Sequence, residues 1–178
     1  MKSILMSIRP EWLAKIINGK KTVEIRKTAP KCKTPIDIYF YCTAPTVKSG
    51  LPGRWDTIYN PIIYNRKIVV KATLNIVVRH NLEYQIYDSR SVYSYPKGSN
   101  VPTIYMREWN EDMGRKSCMT QDQITEYIGE DNADFYAWYI SNVKVLHNPM
   151  DLAHFGLKRP PQSWQYIEHS YEYLEGKK

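Results

Sequence analysis

The first 27 residues restrict the fold more than any other stretch of this chain. A short apolar run, Ile4 to Ile8, ends at Arg9-Pro10. Proline suits a first helical position, where its missing N–H removes no hydrogen bond. Trp12, Leu13, Ile16 and Ile17 then recur at helical spacing. Asn18-Gly19 stops that helix, because glycine enters the left-handed conformation without a Cβ penalty. From Thr22 to Arg26 polar and apolar residues alternate, as in a half-buried strand. The order is therefore strand, helix of about two to three turns, glycine stop, strand. Arg9, Lys20, Lys21, Glu24 and Arg26 crowd that junction. Such a charge density beside a tight turn reads as a site rather than a core.

Further along, Pro35 to Cys42 alternates Ile36, Ile38 and Phe40 against Asp37, Tyr39 and Tyr41, which predicts a strand. Thr43 to Tyr59, rich in Gly, Pro, Lys and Ser, predicts a loop with Trp55 as an anchor. Arg66 to His80 holds the longest strand signal, long enough for a bent strand that closes a barrel. The pattern breaks down between about 81 and 117, where Tyr84, Tyr87, Tyr93, Tyr95 and Tyr105 mingle with Arg90, Lys97 and Arg107. That stretch reads as an insertion. Aromatics interleaved with bases suit a single-stranded nucleic acid, and a loop pinned by tyrosine packing is the alternative. Thr120 to Ile128 predicts a helix with Thr120 and Gln123 forming a capping box and Gly129 ending it. Tyr136 to Val145 predicts a strand, and Pro160-Pro161 an extended segment leading to Trp164, Tyr166 and Ile167. No repeat or second domain is visible, so the expectation is one domain over 1–178.

Fifteen tyrosines stand against three phenylalanines, a choice that serves strands and partly wet stacking surfaces equally. The net charge of +7 and a pI of about 9.2 favour a polyanionic partner, or serve only solubility. Cys32, Cys42 and Cys118 form no C-x-x-C pair, which supports neither a zinc knuckle nor a redox motif and fits a reducing cytoplasm. No metal and no cofactor is expected; His147 and His154 read as surface or packing residues. No signal peptide is evident, and no apolar run approaches the roughly 18 residues that span a bilayer.

Gly19, Lys21, Glu24 and Arg26 spell G-x-K-x-x-E-x-R, preceded by Ser-Ile-Arg-Pro-Glu. This resembles the ASCH domain of the PUA-like superfamily. Tyr136 to Val145 and Lys158-Arg-Pro-Pro-Gln-Ser-Trp-Gln-Tyr166 resemble its phage-type members. The resemblance is poor from about Thr46 to Ser117. It implies an α+β fold: a PUA-like barrel of about five to seven mostly antiparallel strands with two or three short helices. It also implies a cleft beside the first helix and the following strand. Longer phage-type relatives carry a Cys/His-rich insertion before R-P-P-Q-S-W, absent here, where only Asp151 to Leu157 intervenes.

Within that cleft the ligand-binding candidates are Arg9, Lys21, Thr22, Glu24 and Arg26. Arginine offers a bidentate fork and lysine a mobile point charge. Glu24 can meet a base amino group or act as a general base, or simply stand as an ion pair between Lys21 and Arg26. Thr22, Glu24 and Arg26 share one strand parity; Lys21 lies on the other and must be rotated inward. Ser7 and Ser141 are secondary candidates. Three functions fit. The first is a module recognising RNA or a modified nucleotide, with single-stranded DNA as a further ligand. The second is an enzyme, with Lys21, Glu24 and Ser141 as candidate catalytic residues of a ribonuclease or amidohydrolase. Some small ASCH proteins hydrolyse N-acylated cytidine with a Lys-Thr-Glu set, but Glu24 stands where their threonine would be, which removes the expected nucleophile. The third is a phage factor that docks on a host protein. The leading expectation is the recognition module.

Overall fold

The computed structural model describes residues 2–44, 66–81, 93–94, 101–105, 111–129 and 134–168. Strand β1 (Ser3–Ile8) carries the N-terminal apolar run, and all six residues are buried. It pairs in parallel with β3 (Ile36–Cys42), Ile4 opposite Ile38 through Ile8 opposite Cys42. On its other side it pairs antiparallel with β8 (Trp164–Ile167). A parallel neighbour demands a crossover, and the chain between them supplies one that contains α1 (Pro10–Ile17). Pro10 opens α1, Leu13 and Ile16 are its buried residues, and the helix packs on β3. Trp12 and Ile17 are half-buried. Gly19 follows at φ +74°, and a Cβ there would meet nothing within 4 Å, so its backbone angle alone asks for glycine.

The chain divides into two compact units. The first comprises Met1–Gly19, Ile36–Thr73 and Asn142–Lys178. Its strand order is β4-β3-β1-β8, with β4 spanning Ile68–Asn81. Leu5, Tyr39, Tyr41, Ile68, Leu146, Met150, Phe155 and Ile167 form its core, with Leu152 and Leu157 packed against it. Ser7 Oγ donates to the Pro161 carbonyl at 2.6 Å, and Ser7 N–H to that of Ser163 at 2.9 Å. These bonds hold the extended double-proline segment where it enters β8. Trp164 and Tyr166 are half-buried and meet edge to face at 5.5 Å.

The second unit comprises Lys20–Pro35 and Leu74–Ser141. Its strand order is β2-β7-β4, where β2 is Val23–Arg26 and β7 is Asp134–Met150. β6 (Thr103–Tyr105) runs parallel to the end of β4, and β5 (Tyr93–Ser94) antiparallel to β6. Helices α2 (Glu111–Ser117) and α3 (Gln121–Ile128) complete it. Val23, Ile25, Met113, Ile124, Ile128, Phe135 and Ala137 make its core. The expected capping box is present: Gln123 N–H donates to Thr120 Oγ1 at 3.2 Å, and Thr120 N–H to Gln123 Oε1 at 3.0 Å.

Several expectations change. The stretch 81–117, read as an insertion without pattern, contains β5, β6 and α2. α2 leaves no apolar periodicity in the sequence, because Met113 and Ser117 are its only buried residues and Gly114 lies at its centre. Its order comes from charge: Glu111 and Asp112 open it, Arg115 and Lys116 close it, complementing the helix dipole. Tyr84, Tyr87, Tyr95, Arg90, Lys97, Arg107 and the Trp55 loop lie outside the described residues. β7 continues five residues beyond Val145, through His-Asn-Pro, because Leu146 and Met150 are anchored in the first core. The sheet is mixed: β1–β3 and β4–β6 are parallel, while β1–β8, β2–β7 and β5–β6 are antiparallel. The α+β class holds. The strand path ends at β2 and β8, and among the described residues no pairing joins these ends into a barrel. No helix among the described residues is long and apolar enough to cross a membrane.

The three cysteines are free. Cys42 is 2% exposed, and burial, aided by the Glu11 carboxylate, pushes its thiol up to about 12. Cys32 and Cys118 are partly exposed. Thiolate is the reactive form, so iodoacetamide at neutral pH should label two thiols in the native protein. The third should appear only after denaturation. Peptide mapping that finds native Cys42 alkylated as fast as the others would contradict this burial.

Candidate functional site

The sequence of β2 predicts one buried and one wet face, yet all four of its residues are buried. Val23 and Ile25 face the helical core of the second unit, as their parity requires. Glu24 and Arg26, on the other parity, are only 7% and 8% exposed. The reason is β7, which pairs antiparallel with β2 and sets Trp138 opposite Glu24 and Tyr136 opposite Arg26. Residues directly opposite in such a ladder share a face. Trp138 is fully buried, its indole N–H donating to the Thr28 carbonyl at 3.2 Å.

Lys21 is drawn into the same place despite its parity. It is 1% exposed. Its Nζ donates to the Ser117 carbonyl at 2.6 Å and stands 3.2 Å from Glu24 Oε2. Arg26 Nη2 lies 3.1 Å from Glu24 Oε1. One carboxylate therefore holds a cation at each oxygen. The inward turn of Lys21 is set by bonds that tie its neighbours' backbone to the last turn of α2 and to the residue after it. Thr22 N–H donates to the Lys116 carbonyl at 2.9 Å, and Cys118 Sγ to the Lys20 carbonyl at 3.3 Å. Ser117 closes α2, where the negative end of the helix dipole favours an ammonium. Thr22 itself precedes the strand and its side chain is exposed. Its backbone serves instead, its carbonyl accepting from Ile140 N–H at 2.9 Å. Thr22 thus does not join Glu24 and Arg26 on one strand face.

Three charges within a water-poor enclosure are a costly way to stabilise a fold, since desolvation offsets most of the Coulomb gain. Among the described residues Glu24 Oε2 accepts no hydrogen bond, although the Lys21 ammonium is near. That oxygen keeps acceptor capacity, but it is itself buried, so an N–H donor reaches it only when the enclosure opens. The family profile of the ASCH domain matches residues 6–149. The chain belongs to the ASCH domain family.

Solved structures agree with that membership at the level of fold. ASCH from Zymomonas mobilis superposes with a TM-score of 0.61 at 19% identity, covering 97% of this chain and 91% of that one. A tyrosine-to-phenylalanine variant of it gives 0.61 at 17% identity, covering 98% and 96%. A serine-to-alanine variant gives 0.61 at 18%, covering 97% and 92%. Comparison with curated proteins finds no match.

In this ASCH domain the remaining candidates make bonds of their own. Ser141 Oγ and the Asn75 side-chain amide are hydrogen-bonded to one another, with Asn75 Nδ2 to Ser141 Oγ at 2.9 Å. Arg9 is exposed in the first unit, where its carbonyl accepts from Trp12 and Leu13 N–H to start α1. Ser7 is committed to the Pro161 carbonyl. One participant carries no readable signal: the Ser117 carbonyl, which any residue type could supply. The Trp138 role was accessible in principle, since antiparallel pairing of β2 with β7 dictates which aromatic covers Glu24.

Proposed function

We propose that this ASCH domain is a nucleic-acid-binding module that recognises RNA or a modified nucleotide through Lys21, Glu24 and Arg26. The observation that carries the reading is the buried carboxylate between two cations, with Glu24 Oε2 still able to accept a hydrogen bond. A base edge with an exocyclic amino group offers such a donor, and arginine meets a base carbonyl or phosphate through its fork. The basic net charge and the PUA-like membership support the same reading. We take the chain as one ASCH-type domain over 1–178, because the family match runs through both compact units. The three free thiols support a reducing, cytoplasmic setting.

Fluorescence anisotropy with labelled single-stranded RNA, single-stranded DNA and duplex, at low and physiological salt, tests this. The same samples are then run on a denaturing gel. Binding should be tightest for RNA, with the strand intact. Arg26→Ala should weaken it about tenfold or more, the loss of one hydrogen bond from a charged group. Circular dichroism should show that variant folded, since Lys21 still balances Glu24. Cleaved RNA would establish a ribonuclease instead. Absence of binding to all three probes would overturn the nucleic-acid-strand reading and point to a free modified nucleoside or a protein partner.

A further inference from the structure

The positive charge is unevenly shared between the two units. The first holds 13 Lys and Arg against 7 Asp and Glu, and the second 12 against 11. The Lys21–Glu24–Arg26 cluster lies in the nearly neutral second unit, so attraction for a polyanion resides mainly in the first. There a groove of about 320 Å³ is lined by Asp37, Lys71, Thr73, Asn142 and Lys144, among others. Lys71 Nζ is fixed by Asp37 Oδ2 at 3.0 Å. Asn142 Nδ2 donates to Thr73 Oγ1 at 3.3 Å. Asn142 stands at φ +51°, a conformation that asparagine tolerates better than most residues. Lys144 is exposed and forms no ion pair among the described residues.

We infer that this groove binds a phosphodiester of a nucleic-acid strand, as a contact separate from the cluster on β2. Each part of the lining has a role. Lys144 supplies an uncompensated ammonium. Lys71 supplies a second, already oriented by Asp37. The Thr73 hydroxyl and the Asn142 amide supply neutral donors that cost little to desolvate. Beside Ala72 and Val143 the lining is polar, and its two ammonium groups outnumber its one carboxylate, which suits an anion. Phosphate contacts fix position on a strand without reading its sequence. Asp37 opposes the bound anion and tempers affinity, so its neutralisation should tighten binding.

This inference rests on the nucleic-acid reading above, and the experiment separates the two. Binding of labelled single-stranded RNA is measured across a salt series for the wild-type chain, Lys144→Ala, Lys71→Ala/Lys144→Ala and Asp37→Asn. The slope of log affinity against log salt should become shallower by about 0.7 for each phosphate contact removed, and by about 1.4 for the double variant. Asp37→Asn should bind more tightly than the wild type, a gain that a merely structural ion pair would not give. Lys144→Arg keeps the charge and should retain the slope; Lys144 is exposed, so its variants should keep the native melting temperature. Wild-type binding with unchanged slopes in the Lys144 and double variants would overturn the groove and leave the β2 cluster standing. No binding by the wild-type chain would overturn both.

Discussion

Glu24→Ala should destabilise the chain by about 3–5 kcal/mol, the cost of leaving buried charge without its partner. For a protein of this size that lowers the melting temperature by about 10 °C. The substitution takes the carboxylate from two cations at once. Lys21, at 1% exposure, would keep only the Ser117 carbonyl of its named partners, and Arg26 would lose the carboxylate 3.1 Å away. Urea unfolding monitored by circular dichroism measures the effect. Arg26→Ala should cost less, because Lys21 continues to neutralise Glu24. The informative contrast is the triple replacement Lys21→Met, Glu24→Leu and Arg26→Met. Apolar groups of similar volume in place of a buried ionic set are often neutral or stabilising by about 1–4 kcal/mol. Here the Ser117 carbonyl would lose its donor, which offsets about 1–3 kcal/mol of that gain. A triple variant that is folded, near wild-type in stability and unable to bind RNA would separate the cluster's function from its structural part. A midpoint unmoved by Glu24→Ala would mean that solvent reaches the carboxylate and that the burial argument fails.

The fold was legible where side-chain pattern and backbone demand coincide. Pro10, the Leu13/Ile16 spacing and Gly19 specify α1 almost without tertiary help, and Thr120 with Gln123 marks the start of α3. The sequence misleads where packing overrides pattern. β2 alternates like a wet strand, yet Trp138 covers its polar face and turns Glu24 and Arg26 into interior groups. α2 has too little apolar surface to announce itself, although its final carbonyl fixes Lys21. The cluster itself was visible as charges at fixed offsets. What could not be read was its third dimension, because a backbone acceptor such as Ser117 O leaves no residue-type signature. Ser141 lies on the strand that the sequence predicts, and its hydroxyl is hydrogen-bonded with the Asn75 amide, a partner that spacing along the chain does not reveal.

Acidification should expose a second buried group. His80, at 1% exposure, stacks on Phe135 with ring centroids 4.9 Å apart and planes 7° from parallel. Burial lowers its pKa from 6.5 to about 4. The unfolded chain therefore takes up a proton on this ring more readily than the folded one. Its contribution to stability is whole above about pH 6.5 and is lost as pH falls toward 4. A shift of that size corresponds to about 3 kcal/mol at most. Urea unfolding between pH 7.5 and 4.5 should show the midpoint falling in this window for the wild-type chain. His80→Gln, which has no titrating ring, should remove that part of the fall while paying a constant cost for the lost stack on Phe135. The difference between the two curves isolates the histidine from the carboxylates that titrate lower. Two curves that run parallel down to pH 4.5 would show that the ring is protonated or solvated in the folded chain. The His80–Phe135 stack would then have to form with an imidazolium, as a cation–π contact rather than an apolar one.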